Sequence, residues 1–372
     1  MSFRGNESDF FVMNSHASHP KILPATPESI RLAGQALRDG KLIGLPTETV
    51  YGLAARGDQP DSVAKIFAAK QRPSTNPLIL HVGDASAVHP LVVLDSAITR
   101  RRFEAASSLW PGPLTLVLPK SEAVLDCVTA GGNTVAVRVP AHPVALQLLR
   151  EVSLPIAAPS ANVSNYVSPT RPEHVTDGLA DCIEWVLDGG VCDVGLESTV
   201  LSIADPNAPP TILREGVLSA TKLESVFGEP VLSASSSNME LPHPPSDAPA
   251  ASPGLHRRHY SPRTPLRLVR ETEHASPANN DLRVLRIRLR GPANSLPGYA
   301  DVWSLSAVGD PLEIANRLYE TLRRADSGEF DQIEIDQMNV EDWIESGNAN
   351  LIAAISDRLH RASNQDDAPL GL

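Results

Sequence analysis

The chain has 372 residues, a formal net charge of -12, 42% hydrophobic residues and only 4% aromatic ones. That length exceeds what one core ordinarily fills and suits two domains. An acidic balance with few aromatics argues against a broad polyanion-binding surface and against a stacking platform for single-stranded nucleic acid, and favours an Ala/Val/Leu-rich α/β enzyme. The cysteines Cys127, Cys182 and Cys192 form no C-x-x-C pair and are odd in number, so neither a zinc ribbon nor a disulfide framework is supported. Buried, reduced thiols are the expectation for all three. The first twenty residues lack the apolar core of a signal peptide, and no later apolar run is long enough to cross a bilayer, so the expected setting is cytoplasmic, away from membranes.

Residues 1–20 read as a mobile tail. Thr26-Pro27-Glu28 then gives an N-cap with proline at the first helical position, and Ile30, Ala33 and Leu37 share one face until Gly40 stops the helix. Residues 42–45 form a short strand, 61–69 a helix, 77–82 an extended run and 96–109 a helix; 114–118 and 134–139 are strand-like. A helix follows over 144–152, and 156–158, 185–187, 199–203 and 211–213 are extended. This mixed α/β region ends near Gly228. Residues 230–253, rich in Pro, Ser and Ala, cannot bury enough apolar surface to offset the entropy of ordering and read as a linker. Beyond it, PLRLV, LRVLRIRL, a helix over 311–325, FDQIEID and a helix over 340–361 alternate as β, β, α, β, α, a second and smaller α/β domain. Residues 364–372 read as a frayed end.

Chemistry-bearing residues gather where elements change. Lys65 and Lys70 are five apart on one helix, about 140° off a shared face, so they need not act together. Pro73 ends that helix and Asn76-Pro77 turns the chain, which puts Lys70, Arg72 and Asn76 in a loop suited to a ligand. Lysine offers phosphate a point charge and arginine a planar fork; equally, cations at a helix C-terminus favour the dipole without any ligand. His81 ends the apolar strand LILHV, and Thr47, Glu48 and Thr49 follow another short strand; strand ends are where α/β sheets collect ligands, though a strand histidine is also an ordinary hydrogen-bonded residue. Ser160 and Asn162 in PSAN offer short polar groups beside exposed backbone, as in many turns.

Several ordered blocks carry a resemblance. PTETVYGL (46–53), KQRPSTNPLILHV (70–82), TVAVRVP (134–140), PSANVSNYVSPT (159–170), ESTVLSI (197–203) and TILREG (211–216) resemble the YrdC-like domain of the threonylcarbamoyl-adenylate synthase family. SPGLHRRHYSP (252–262) resembles the segment that joins this domain to the extra C-terminal domain of the family's longer members. The resemblance implies an α/β fold: a YrdC-like twisted mixed sheet with flanking helices over 21–228, a linker or lid over 229–262, and a smaller Rossmann-like α/β domain over 263–363. No G-x-G-x-x-G run marks a second cofactor site there.

The implied activity is an ATP-dependent synthesis. L-threonine and bicarbonate give an N-carboxy threonine, which attacks the α-phosphorus of ATP to give threonylcarbamoyl-adenylate and pyrophosphate, feeding the N6-threonylcarbamoyl modification of adenosine 37 in tRNA. A downstream tRNA threonylcarbamoyltransferase complex is the implied partner, with tRNA contact possible in principle. Carried over residue by residue, the resemblance assigns Lys70, Arg72, Asn76, Thr134, Ser160, Ser168, Arg214 and Tyr260 to the ATP side, and Thr49, His81, Arg138 and Ser198 to the threonine side. Arg138 suits a carboxylate because its fork can pair both oxygens. No residue is expected to act as a covalent nucleophile, and no protein metal cage is expected, since Mg2+ would arrive on the ATP phosphates. Asn165 stands where the family usually has glycine, a place where asparagine tolerates a left-handed turn; Glu215 stands for a usual proline and Ser202 for a usual aspartate. His256 and Arg257 replace a tyrosine and a lysine of the linker segment and receive no role.

Two other readings are separable. A non-catalytic RNA- or nucleotide-binding module would present a broad Lys/Arg surface, whereas the cations here are few and interleaved with Thr, Ser, Asn and His. The carbamoyltransferase of hydrogenase maturation contains a related domain but adds zinc-finger C-x-x-C motifs, which this chain lacks.

Overall fold

The computed structural model describes residues 21–233, 259–272, 282–326, 328, 330–339, 341–343 and 348–363. The expected tails at 1–20 and 364–372, and residues 234–258 of the expected 229–262 linker, His256 and Arg257 among them, lie outside the described residues. The first part of the chain runs β1 (Lys21–Pro24), α1 (Pro27–Arg38), β2 (Ile43–Leu45), β3 (Gly52–Arg56), α2 (Pro60–Lys70), β4 (Ile79–His81), α3 (Ala97–Ser107), β5 (Leu114–Pro119) and α4 (Asp126–Thr129). It continues with β6 (Thr134–Arg138), α5 (Pro143–Val152), β7 (Ile156–Ala157), α6 (Pro172–Leu179), β8 (Trp185–Asp188), β9 (Thr199–Ser202), β10 (Thr211–Arg214), α7 (Ala220–Phe227) and β11 (Leu232–Ser233). The second part comprises β12 (Leu266–Val269), β13 (Val284–Arg290), β14 (Asp301–Ser306), α8 (Pro311–Asp326), β15 (Gln332–Asp336) and α9 (Ala349–Ser363).

Local chemistry explains the elements that bear on function. Thr26 caps α1, its hydroxyl accepting from Ser29 N at 3.2 Å, and the buried face of Ile30, Ala33 and Leu37 packs with Ala145, Leu148 and Leu149 of α5. Helix α2 ends at Gln71, which turns left-handed at φ 51°; Arg72 N then donates to Phe67 O at 2.9 Å, and Pro73 prevents continuation. The chain thereby leaves the helix with Arg72 redirected toward β4.

Among the described residues the first sheet has the order β1-β8-β2-β3-β7-β4-β6-β5-β9-β10-β11 and mixes parallel with antiparallel pairs. Two registers matter. In the parallel pair β4/β6, His81 lies opposite Arg138, and in the antiparallel pair β5/β6, Arg138 lies opposite Thr115. The second sheet is parallel throughout, ordered β12-β15-β13-β14, with α8 and α9 packed together over its apolar side.

The structure departs from the sequence reading in several places, and the short elements β1, β3, α4 and β11 are additional to it. Strand β14 is an additional element, because Trp303 and Ser304 are half-buried and blur its alternation. Helices α6 and α7 are also additional. The expected helix over 340–361 is described only from Ala349, where Asn348 O accepts from Ile352 N; residues 344–347 lie outside the described residues. Of the three cysteines only Cys192 is buried, Cys127 and Cys182 being exposed at helix and turn surfaces where no apolar cluster covers them.

The two parts share apolar contacts. Val50, Val167 and Leu196 from the first belong to the cluster formed by Leu318, Tyr319, Leu322 and Ile355 of the second. At Gly195, φ is +74° and a Cβ would sit 2.7 Å from Asn316 Cα, so only glycine permits α8 to approach this closely. Asn316 Nδ2 donates to Cys192 O at 2.8 Å, Asn350 Nδ2 to Val217 O at 2.6 Å, and Tyr166 Oη to Asp326 Oδ2 at 2.8 Å.

Candidate active-site cleft

A cleft of about 580 Å3, its open mouth included, lies at the ends of the central strands of the first sheet and beneath His259 and Tyr260. Its walls bring together Thr49, His81, Arg138 and Ser198 with Arg72, Ser160, Arg214 and Tyr260. Every residue expected on the threonine side therefore lines one cavity with part of the expected ATP set. Lys70, Asn76, Thr134 and Ser168 do not line it.

Arg138 is the centre of one end. It is 4% exposed; Nη2 donates to Glu48 Oε1 at 2.7 Å, Nη1 to Thr49 Oγ1 at 3.0 Å and Nε to Gly112 O at 3.3 Å. The fork is thus fixed, while its remaining N–H groups are available to another anion. Thr47 holds the turn that delivers Glu48 and Thr49: its Oγ1 lies 2.8 Å from Thr49 Oγ1, accepts from Val50 N at 3.2 Å and donates to Val50 O at 2.6 Å. Glu48 Oε2 is buried and finds no partner among the described residues. Beside Arg138, burial holds His81 down to about 3, and the neighbouring guanidinium adds to the effect. His81 is therefore neutral at physiological pH, a hydrogen-bonding group rather than a cation, with Nδ1 3.3 Å from Ile79 O. Ser198 Oγ lies 2.8 Å from Thr115 Oγ1 and accepts from Arg214 Nη2 at 3.2 Å, linking this end of the cleft to the other.

At the other end, Arg214 also directs Nε and Nη2 onto Ser198 O, at 3.2 and 3.0 Å. Arg72 is anchored through Nε to Asn76 O at 3.2 Å and Nη2 to Pro77 O at 2.9 Å. Burial lowers Arg72 to about 9, with the like charge of Arg214 contributing; it remains cationic at neutral pH. Tyr260 is 1% exposed at φ 62°, a conformation that a bulky residue keeps only when its surroundings fix it.

The residues outside the cleft wall have identifiable positions behind it. Lys70 is 1% exposed and donates from Nζ to Ser160 O and Asn162 O, so it clamps the PSAN turn from behind; burial, reinforced by Arg72, pushes its pKa well below the usual lysine range. Ser164 N returns a bond to Lys70 O at 2.8 Å, and Asn165 adopts φ 66°, the left-handed turn its side chain tolerates. Asn76 supplies its carbonyl to Arg72 while its buried Oδ1 has no partner among the described residues. Thr134 opens β6 opposite Pro119, half-buried. Ser168 is fully buried and donates from Oγ to Glu197 Oε1 at 2.7 Å.

Several residues of the site received no role from the sequence. Glu48 and Glu197 stand inside quoted motifs, and the available signal was physical: a carboxylate in a buried strand-end segment needs a cation or several donors. From the second part, Tyr319, Arg323 and Arg358 reach the same region. Arg323 Nη2 donates to Val167 O at 2.5 Å and Nε to Ser168 O at 3.3 Å. Arg358 falls on the apolar stripe of α9 with Leu351 and Ile355, and an arginine at such a position signals a buried acidic partner.

The chain as a whole is similar to known proteins. The Sua5/YciO/YrdC family model, described as telomere recombination, matches residues 35–216, and the model described as the threonylcarbamoyl-AMP synthase C-terminal domain matches residues 218–364. The threonylcarbamoyl-AMP synthase of Pyrococcus abyssi is 37% identical over 341 residues, covering 90% of this chain and 94% of the relative. That of Bacillus subtilis is 43% identical over 246 residues, covering 66% of this chain and 67% of the relative. The crystal structure of P. abyssi Sua5 complexed with L-threonine matches with a TM-score of 0.77 at 35% identity, over 90% of this chain and 94% of that one. The chain belongs to the threonylcarbamoyl-AMP synthase family, in the longer form that carries the C-terminal domain.

Proposed function

We propose that this chain joins L-threonine, bicarbonate and ATP in the cleft, forming threonylcarbamoyl-adenylate and pyrophosphate for N6-threonylcarbamoyl modification of adenosine 37 in tRNA. The observation that carries the reading is the pairing of two arginine-bearing ends in one cavity: Arg138 with Thr49 and His81 at one, Arg72 and Arg214 at the other, joined through Ser198. Family membership and the threonine complex of the P. abyssi relative support it.

The chemistry needs charge management more than a covalent nucleophile. The threonine carboxylate pairs with the N–H groups that Arg138 retains on Nη1 and Nη2, while Glu48, Thr49 and the Gly112 carbonyl immobilise the fork. Neutral His81 adds no charge that would draw the carboxylate away from Arg138. The threonine amine and bicarbonate give the carbamate with loss of water; a carbamate oxygen bonds to the α-phosphorus, and the bond to the β-phosphate bridging oxygen breaks to release pyrophosphate. Carbamate and triphosphate are both anions, and Arg72 and Arg214 offset their repulsion from fixed positions. Ser160 contributes its short polar side chain at the ATP wall while its carbonyl is pinned by Lys70. Mg2+ enters as part of the nucleotide substrate.

In this reading residues 21–228 carry the chemistry, the described end of the 229–262 segment sets His259 and Tyr260 over the cleft with Tyr260 against the nucleotide, and 263–363 support that end. Lys70, Asn76, Thr134 and Ser168 then act on the nucleotide through the loops they hold or after local movement. The product is a labile mixed anhydride, which calls for a downstream tRNA transferase as partner. The test is incubation of the full chain with ATP, Mg2+, bicarbonate and single amino acids. Pyrophosphate release that requires threonine is expected; nucleotide binding without threonine-dependent release would instead favour a non-catalytic binding module.

A further inference from the structure

Two residues of the nucleotide wall rest on the same pair of side chains from the second domain. Glu197 lines the cleft at 7% exposure, and its Oε2 accepts from Tyr319 Oη at 3.0 Å and from Arg358 Nε at 3.3 Å. Tyr260, the other wall residue, stacks on Tyr319 with ring centroids 5.6 Å apart and an interplanar angle of 22°, and its ring lies 5.6 Å from the Arg358 guanidinium carbon. Arg358 is itself fully buried, 1% exposed, and its Nη2 has no partner among the described residues. A carboxylate facing a triphosphate is electrostatically the wrong sign. In a buried wall its charge acts at short range and with little screening.

We infer that Arg358 is a positioning residue for ATP, which reaches from the second domain to neutralise and fix Glu197 so that the nucleotide wall accepts a polyanion. Tyr319 shares that task by donating to the same oxygen and supporting the left-handed Tyr260. Glu197 precedes Ser198, the acceptor of Arg214, so displacement of its backbone also shifts the arginine that holds the phosphates. The second domain is thereby part of the nucleotide site through its charge, while the threonine end draws its contacts from the first sheet. The inference rests on the cleft being the ATP and threonine site proposed above.

Calorimetric titration of the full chain with Mg-ATP in the absence of threonine provides the test, alongside titration with threonine and thermal melting. Arg358→Met is expected to weaken ATP binding about tenfold or more, as loss of one member of a buried charged pair does, with threonine affinity unchanged. Arg358→Lys should stay within a few-fold of the parent. Adding Glu197→Gln to Arg358→Met should recover most of the lost affinity, because the uncompensated charge is then gone; a role in packing alone would not give this rescue, and a role in folding alone would show it in thermal melting and not in ATP affinity. Tyr319→Phe, which removes one hydroxyl and leaves the stack, should weaken ATP binding several-fold. Equal loss in the methionine, lysine and double variants, or unaltered ATP binding in a folded Arg358→Met protein, would overturn the inference. Should Arg358→Met not fold, unchanged ATP affinity in Tyr319→Phe would overturn it on its own. A parent chain that binds ATP but releases no pyrophosphate with threonine would refute the proposed reaction and leave this inference intact.

Discussion

The proposed threonine end of the cleft is assembled within one sheet, whereas the proposed nucleotide end leans on two helices of the other domain. At the first, strand registers place His81 beside Arg138 and Arg138 beside Thr115, and the adjoining turn supplies Glu48 and Thr49. At the second, Glu197 and Tyr260 are held by Tyr319 of α8 and Arg358 of α9, and Arg323 of α8 binds the carbonyls of Val167 and Ser168. The difference separates two kinds of dependence. Backbone pairing fixes the amino-acid end cooperatively with the sheet, and domain contact fixes the nucleotide end.

The largest expected effect is at the threonine end. Arg138→Ala should lower threonine-dependent pyrophosphate release on the order of a hundredfold and, by leaving Glu48 buried and unpaired, cost about 3–5 kcal/mol of stability in chemical denaturation. Near-parental turnover would remove Arg138 from the site. Gly195→Ala strikes the domain contact instead. With φ at +74° and the new Cβ 2.8 Å from Asn316 O, it should cost about 2 kcal/mol or more and raise KM for ATP while KM for threonine holds. A parallel rise in both would break the comparison.

Acid exposes a smaller difference. His174, between the domains, is held down to about 3 by burial, with Arg323 and Arg171 adding to it, although its Nε2 lies 3.4 Å from Glu320 Oε2. A histidine with a folded pKa of about 3 and an unfolded value near 6.5 binds fewer protons when folded. Its contribution is therefore complete above about pH 6.5 and declines as pH falls toward 3, by about 1.4 kcal/mol per pH unit. His174→Gln should flatten the loss of stability between pH 7 and pH 5. A steeper loss in the variant would mean that His174 is protonated and paired with Glu320, which would have raised its pKa and reversed the sign. The smallest effect belongs to Lys65, exposed and bonded through Nζ to Gly40 O at 2.7 Å. Lys65→Ala should change stability by about 0.5 kcal/mol or less and neither KM; a tenfold change in either would bring Lys65 into the site.

Legibility followed the range of the interactions. Helix α1 was readable because Thr26, Pro27 and the Ile30/Ala33/Leu37 stripe are local signals. The turn after α2 was readable because Pro73 cannot continue a helix, and Asn165 kept its left-handed turn for an equally local reason. Strand β14 was not, since half-buried Trp303 and Ser304 mask a period of two. Among the site residues, Lys70 is the instructive one. Its place in the motif pointed to phosphate, and the fold turns its Nζ onto the carbonyls of Ser160 and Asn162, some ninety residues on, behind the cleft wall.

By itself the sequence determined the α/β class and the blocks from PTETVYGL to TILREG, because helical and strand periods, caps and ordered motifs are properties of neighbouring residues. It also carried the chemistry of each side chain, Arg138 as a fork for carboxylate above all. Only the tertiary structure decided which of those side chains share a cavity, that His81 is neutral beside Arg138, and that Glu197 is balanced by Arg358 from the other domain. The physical reason is that burial and through-space charge depend on residues far apart in the chain, 161 positions for Glu197 and Arg358, and the sequence pattern contains no term for that separation until the chain has folded.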